Sequence, residues 1–262
     1  ATPAPEIETP PATPTPPPAP LPIPESTPAP VSRSLPPART GATFRVVLDP
    51  APLPLIAPSS HEPEVPALSA MDVTRDIARR VKRILEQDAA LDVVLTFDSG
   101  EAQDMNERIA RINTSGGDIL VAIRLDASEF VSLSGTEIFV ASSSLDAGAA
   151  DDADSAVGSR TRPENAWRPH EAAGLALAQS IRAEFNRTFS EADTAVTPAP
   201  LFLLRRAAMP SVLITCGYVT NAEDAALLSR EGGRETLSDA LAGGILKYSQ
   251  ARTQTPSRRM NR

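Results

Sequence analysis

Few side chains in this sequence could bind a metal or attack a bond through a ring nitrogen or a thiol. It has two histidines, His61 and His170, and one cysteine, Cys216. His61 lies in Ser60-His61-Glu62-Pro63-Glu64, so a metal site beside Glu62 or Glu64 is chemically conceivable. The plainer reading is a solvated loop histidine, because nothing rigid positions it. His170 follows Trp167 and Pro169 and opens a predicted helix, where a surface or capping role is favoured. A site built from His61, His170 and a carboxylate matches no usual zinc spacing. A lone cysteine excludes an intrachain disulfide and a cysteine-rich zinc module. In its apolar run Cys216 reads as a small buried hydrophobe, not a nucleophile. The remaining candidates are Arg124, Asp49 and Asp126, which stand at or just past the ends of predicted strands.

Those strands come from short apolar runs. Phe44 to Leu48, Leu91 to Thr96, Asp118 to Leu125, Gly135 to Ala141, Leu201 to Leu204 and Ser211 to Thr215 all read as strands. Between them, helical spacing runs from Ala70 to Gln87 through Val73, Ile77, Val81 and Leu85. Further helices are expected over Asp104–Asn113, Glu171–Phe189 (with Leu175, Ala178, Ile181 and Phe185 on one face), Ala222–Leu228 and Thr236–Tyr248. Strands alternating with helices predict an α/β domain: three layers, a mostly parallel central sheet and helices on both faces. Residues 142–169 read as an acidic inserted loop, either a functional flap or a disordered insertion.

Composition sets the boundaries. Of the 27 prolines, 21 fall at or before Pro66. Residues 1–40 are Pro, Ala and Thr with little to bury, so a disordered linker of polyproline II character is expected there. Residues 41–250 form the domain and 251–262 a flexible basic tail. The net charge of −8 and the absence of a basic stripe with aromatics disfavour nucleic acid as a partner. No apolar stretch reaches membrane-spanning length.

The clearest motif is Pro210 to Asn221, PSVLITCGYVTN, close to a Pro-x-Val-Leu-Val-Glu-Thr-Gly-Phe-x-Ser-Asn pattern. Glu223, Asp224, Ala225 and Leu228 continue it, and Gly244, Ile245 and Tyr248 match a closing Gly-Ile-x-x-Tyr/Phe helix. Upstream, Asp118 to Ala127 (DILVAIRLDA) follows Ala-Asp-x-x-Val-Ser-Ile-His-Ala-Asp-Ala, and Gly135, Glu137 and Phe139 follow Gly-x-Glu-x-Tyr. Arg108, Asn113, Leu95-Thr96 and Leu48-Asp49-Pro50 fit in order. Over nearly all the folded part, the chain resembles the zinc-dependent N-acetylmuramoyl-L-alanine amidases of bacterial cell-wall turnover.

That resemblance implies zinc held by two histidines and a glutamate, with a position open for water, and a second glutamate as general acid/base. The ligand positions fall on Pro52, Ala70 and Arg124, and the glutamate position on Thr215. All four family residues are replaced. The resemblance thus implies a scaffold without hydrolysis, no cofactor, and a degenerate cleft of Asp49, Arg124, Asp126, Thr215 and Asn221. Its partner would be peptidoglycan or a cell-envelope protein, met outside the bacterial cytoplasm, with any signal or anchor upstream of Ala1. Zinc returns only if His61 serves a divergent active amidase. An unrelated α/β binding domain is the third reading. For Arg124 two pairings stay open: a carboxylate of a cell-wall peptide, or an internal salt bridge to Asp49 or Asp126.

Overall fold

Apolar runs without polar alternation belong to strands covered on both faces. Val46-Val47-Leu48 and Ile119 to Ile123 are such runs, and all are fully buried. A computed structural model describes residues 43–50, 70–96, 104–146, 163–190 and 193–254. The strands are β1 (Phe44–Pro50), β2 (Leu91–Leu95), β3 (Ile119–Asp126), β4 (Glu137–Val140), β5 (Ala195–Pro198) and β6 (Ser211–Tyr218). The helices are α1 (Ala70–Leu85), α2 (Met105–Thr114), α3 (Glu171–Thr188), α4 (Phe202–Arg206), α5 (Ala222–Ser229) and α6 (Glu231–Gln254). The strands form one sheet in the order β2-β1-β3-β6-β4-β5. Every pairing is parallel except β4 with β6.

Period-two alternation divides the inner strands between two cores. Val46, Leu48, Val121, Ile123, Val212 and Ile214 face a large core completed by α1, α3 and α6. Val47, Leu120, Ala122 and Leu213 face a thinner one, closed by Ile112 of α2 and by Leu203 and Leu204 of α4. Each fully buried aliphatic side chain contributes roughly 1.5–3 kcal/mol, so the first face carries most of the stability. There α6 packs closely on α3. A Cβ on Gly244 would stand 2.5 Å from the Cα of Ile181. Among the described residues no helix is long and apolar enough to cross a membrane.

The expected three-layer α/β domain is the fold observed, with local corrections. Leu201 to Leu204 is not a strand. Phe202–Arg206 forms α4, whose Leu203 and Leu204 cover the second face. Four apolar residues are too few to separate the two periodicities. The neighbouring strand is instead β5, a short edge strand with only half-buried positions at its centre. On α3 the buried stripe runs through Gly174, Leu177, Ala178, Ile181 and Phe185, whereas Leu175 is exposed. Helix α6 begins at Glu231 and continues to Gln254, into the expected tail. The ends of the acidic loop are structured: 3-10 turns occur at Ser143–Asp146, Pro163–Asn165 and Arg168–His170. Trp167 between them is buried. Asp146 ties these ends together, accepting from Arg168 at 2.7 Å and from Arg205 at 3.1 Å. Residues 1–42, with the whole of the expected linker, and 147–162 lie outside the described residues.

One buried ion pair fixes the exit of β1. Asp49 is fully buried, and Nε of Arg108 donates to both its carboxylate oxygens at 2.9 Å. Thr96 donates its hydroxyl to the same carboxylate, and Arg108 also donates to the carbonyl of Pro50 at 2.9 Å. These bonds join β1, β2 and α2. Removing one partner of a buried pair leaves an unmatched charge in a low-dielectric site. Arg108→Met is therefore expected to destabilise the domain by about 3–5 kcal/mol in urea unfolding. A loss under ~1 kcal/mol, the scale of an exposed pair, would refute that role for the bridge. Cys216 offers a separate check. It is buried under the large core, and burial pushes its thiol up to about 12. Because only the thiolate reacts, a thiol reagent at mildly alkaline pH should label Cys216 upon unfolding and not before. Labelling of the native protein at the unfolded rate would contradict this.

Candidate functional site at the carboxyl edge of the sheet

On the thinner face of the sheet, the apolar positions give way to polar ones as the strands run out. Val47 is followed on that face by Asp49, Ala122 by Arg124 and Asp126, and Leu213 by Thr215. Strand β4 runs the other way, so its first residue, Glu137, stands level with Thr215. Arg124 is the Cα partner of Thr215 on the opposite side. Arg124, Thr215 and Glu137 thus form a row across three strands.

The row is closely bonded. Nε of Arg124 donates to Oγ1 of Thr215 at 3.2 Å, and Nη2 donates to Oδ2 of Asp126 at 2.9 Å. The guanidinium lies 5.2 Å from the ring centroid of Phe139, a cation–π contact that holds its plane. At the far end, Thr197 donates its hydroxyl to Oε1 of Glu137 at 2.6 Å. Tyr218 joins the same group. Burial raises the pKa of its phenol, and the carboxylates of Glu137 and Asp126 raise it further against the opposing charge of Arg124. A register shift between Arg124 and Asp126 brings Tyr218 opposite Asp126.

Gly217 stands two residues beyond Thr215, near the end of β6. Its φ is +139°, and a Cβ there would stand 3.3 Å from the carboxyl group of Asp224. Asp224 accepts from the backbone of Tyr218 at 2.8 Å and of Gly135 at 2.9 Å. Burial raises its pKa, with those two bonds opposing.

Not every residue expected in the cleft meets there. Asp126 is the partner of Arg124, while Asp49 belongs to Arg108. Asn221 caps α5, accepting from Glu223 and Asp224, and donates to the carbonyl of Val131 at 2.8 Å. Ala70 opens α1. Pro52 and His61 lie outside the described residues. His170 sits at the start of α3, and burial lowers its pKa. It lines a small cavity with Trp167, Gly174 and Ser211. Ser211 precedes Thr215 by four residues along β6, or about 13 Å, so His170 is at the opposite end of the sheet. Glu137, Thr197 and Tyr218 were not assigned to the cleft from sequence. Glu137 and Phe139 do alternate with Ile138 and Val140, but which strand lies beside β6 depends on topology.

Zinc requires lone pairs from imidazole, carboxylate, thiolate or water. A guanidinium has only donors to offer, and alanine has neither. The hydroxyl of Thr215 is already bonded to Arg124. Among the described residues no three His, Cys, Asp or Glu side chains are grouped to hold a metal ion. Ala70 and Arg124, the described residues that the resemblance sets at ligand positions, therefore do not fit zinc.

Residues 63–247 match the family described as N-acetylmuramoyl-L-alanine amidase. The N-acetylmuramoyl-L-alanine amidase LytC of Bacillus subtilis (strain 168) is 24% identical over 177 residues, 68% of this chain and 30% of LytC. Among solved structures, N-acetylmuramoyl-L-alanine amidase AmiC2 of Nostoc punctiforme superposes with a TM-score of 0.61 at 24% identity, covering 80% of this chain and 99% of that one. The CwlD amidase from Clostridioides difficile, solved in complex with the GerS lipoprotein, gives 0.58 at 21% identity, covering 80% and 100%. A family match that runs from ahead of α1 nearly to the end of α6, through both strands of the Arg124–Thr215 pair, makes the chain a member of the N-acetylmuramoyl-L-alanine amidase family.

Proposed function

We propose that this chain is a pseudo-amidase of the bacterial cell envelope, which keeps the amidase scaffold, has lost hydrolysis, and acts by binding peptidoglycan or a protein partner. The observation that carries this reading is the Arg124–Thr215 hydrogen bond. In the aligned family pattern those two positions are a zinc ligand and the general acid/base. Here they are a permanent cation and a hydroxyl, bonded to each other. Removing metal ligands and the acid/base together leaves no recognisable route for polarising an amide or activating water.

Family membership removes the third reading, an unrelated α/β binding domain. The second reading, a divergent active amidase, needs a re-sited metal near His61, in the segment between β1 and α1. Binding to peptidoglycan follows from the family's substrate. Binding to a protein has a parallel in the complex of CwlD with a lipoprotein.

Metal analysis of the purified chain, run beside incubation with peptidoglycan sacculi, tests the proposal. The expected result is no stoichiometric zinc, no release of peptides, and co-sedimentation of the protein with the sacculi. Stoichiometric zinc with peptide release would establish an active amidase instead. A variant combining Pro52→His, Ala70→Glu, Arg124→His and Thr215→Glu is expected to gain zinc binding in the same metal analysis.

A further inference from the structure

The charges around Thr215 restrict what the cleft can hold. One guanidinium, Arg124, faces the carboxylates of Asp126 and Glu137, with the phenol of Tyr218 among them. The formal sum is one negative charge, since +1 is set against −2. A ligand that is only an anion is therefore repelled by the group as a whole, even though Arg124 could donate to it. A ligand that is only a cation meets the guanidinium. A molecule carrying both charges avoids both penalties if its ends are ordered like the row.

The row has such an order. Arg124 and Glu137 both register with Thr215, one on each side, so their Cα atoms stand about 10 Å apart, two strand spacings. At one end Arg124 is paired with Asp126, and at the other Glu137 has no cation partner among the described residues. Nη1 of Arg124 has no hydrogen-bond partner among the described residues, while Nε and Nη2 are fixed by Thr215 and Asp126. Phe139 holds the guanidinium from its face and Thr197 holds Glu137. The donor and acceptor are thus pre-oriented, which lowers the entropy lost on binding. From this arrangement we infer that the row is a binding site for a small zwitterion of the amino-acid class, such as a free amino acid or a dipeptide. The carboxylate sits on Nη1 of Arg124 and the ammonium on Glu137. The inference rests on the reading that the cleft binds and does not cleave.

Titration calorimetry on the full chain, with alanine and dialanine as probes, tests it. At least one is expected to bind, and N-acetylation or C-terminal amidation of that probe is expected to weaken binding about tenfold or more. Arg124→Gln should remove the preference for the free carboxylate, and Glu137→Gln the preference for the free ammonium. The capped probes on the unmodified chain already decide the matter if a variant fails to fold. No binding of either probe, or equal binding of capped and free forms, would overturn the inference. Co-sedimentation with sacculi that excess bound probe does not reduce would remove the site's role in wall binding while leaving the pseudo-amidase reading intact. Stoichiometric zinc with peptide release would sink that reading and this inference with it, whereas failure of the probes alone overturns only the inference.

Discussion

Side chains on a strand alternate between two faces, and the chemistry of this domain depends on which face each strand end presents. On β3 the residues of one set, Ile119, Val121, Ile123 and Leu125, are all buried in the large core. The other set, Leu120, Ala122, Arg124 and Asp126, begins in the thin core and ends in the cleft. Strand β6 behaves the same way. Cys216 is deep in the large core and Thr215, one residue earlier, is in the row. A slip of one residue in β3 would bury the guanidinium in the apolar core and turn Ile123 and Leu125 outward, and a slip in β6 would do the same to Thr215 and to Ile214 and Cys216. The packing that stabilises the fold therefore also fixes Arg124 opposite Thr215.

A guanidinium acts differently from a metal ion. It brings hydrogen atoms, not empty coordination positions, so it orients anions without lowering the pKa of bound water. It must also be balanced within the protein. At 2.9 Å from Asp126, with an effective dielectric of about 20, the direct attraction is about 6 kcal/mol before desolvation is subtracted. Desolvation offsets much of that, because both side chains are largely withdrawn from water. The pair is best understood as two polar groups that satisfy each other at a strand end. Burial raises the pKa of Tyr218 most, and the surrounding carboxylates add to that more than Arg124 takes away.

Much of this was legible in the sequence, for identifiable reasons. The unbroken apolar runs of β1, β3 and β6 admit few readings, and the long amphipathic repeat of α1 admits one. Arg124 and Thr215 were placed because their flanking residues fit a pattern on both sides. What sequence could not supply was the order of strands in space. Glu137 is 13 residues from Arg124 along the chain but enters the row only because β4 pairs antiparallel with β6. Asp49 was a natural partner for Arg124 by strand-end position, yet the nearer cation is Arg108 on α2, brought there by the β2–α2 connection. Short segments failed for a similar reason. Between Ala195 and Arg206 a strand and a helix are each five residues or fewer, and tertiary packing decides which is which.

Beside the row, hydrogen bonds tie loop to helix. Asn221 and Asp224, both at the start of α5, reach across to the connection between β3 and β4, bonding Val131 and Gly135. Thr220 adds a third bond, accepting from the backbone of Ser128 at 3.0 Å. A loop tied at three points has little freedom, and this one holds Phe130 out in solvent at 72% exposure. On the other side of Arg124, the exit of β1 is locked by the Asp49–Arg108 pair, itself fully satisfied by Thr96. Neither lock uses a residue of the Arg124–Thr215–Glu137 row. Substitutions at Arg124 or Thr215 would therefore leave these two locks in place, because the groups that hold the frame are separate from those that form the row.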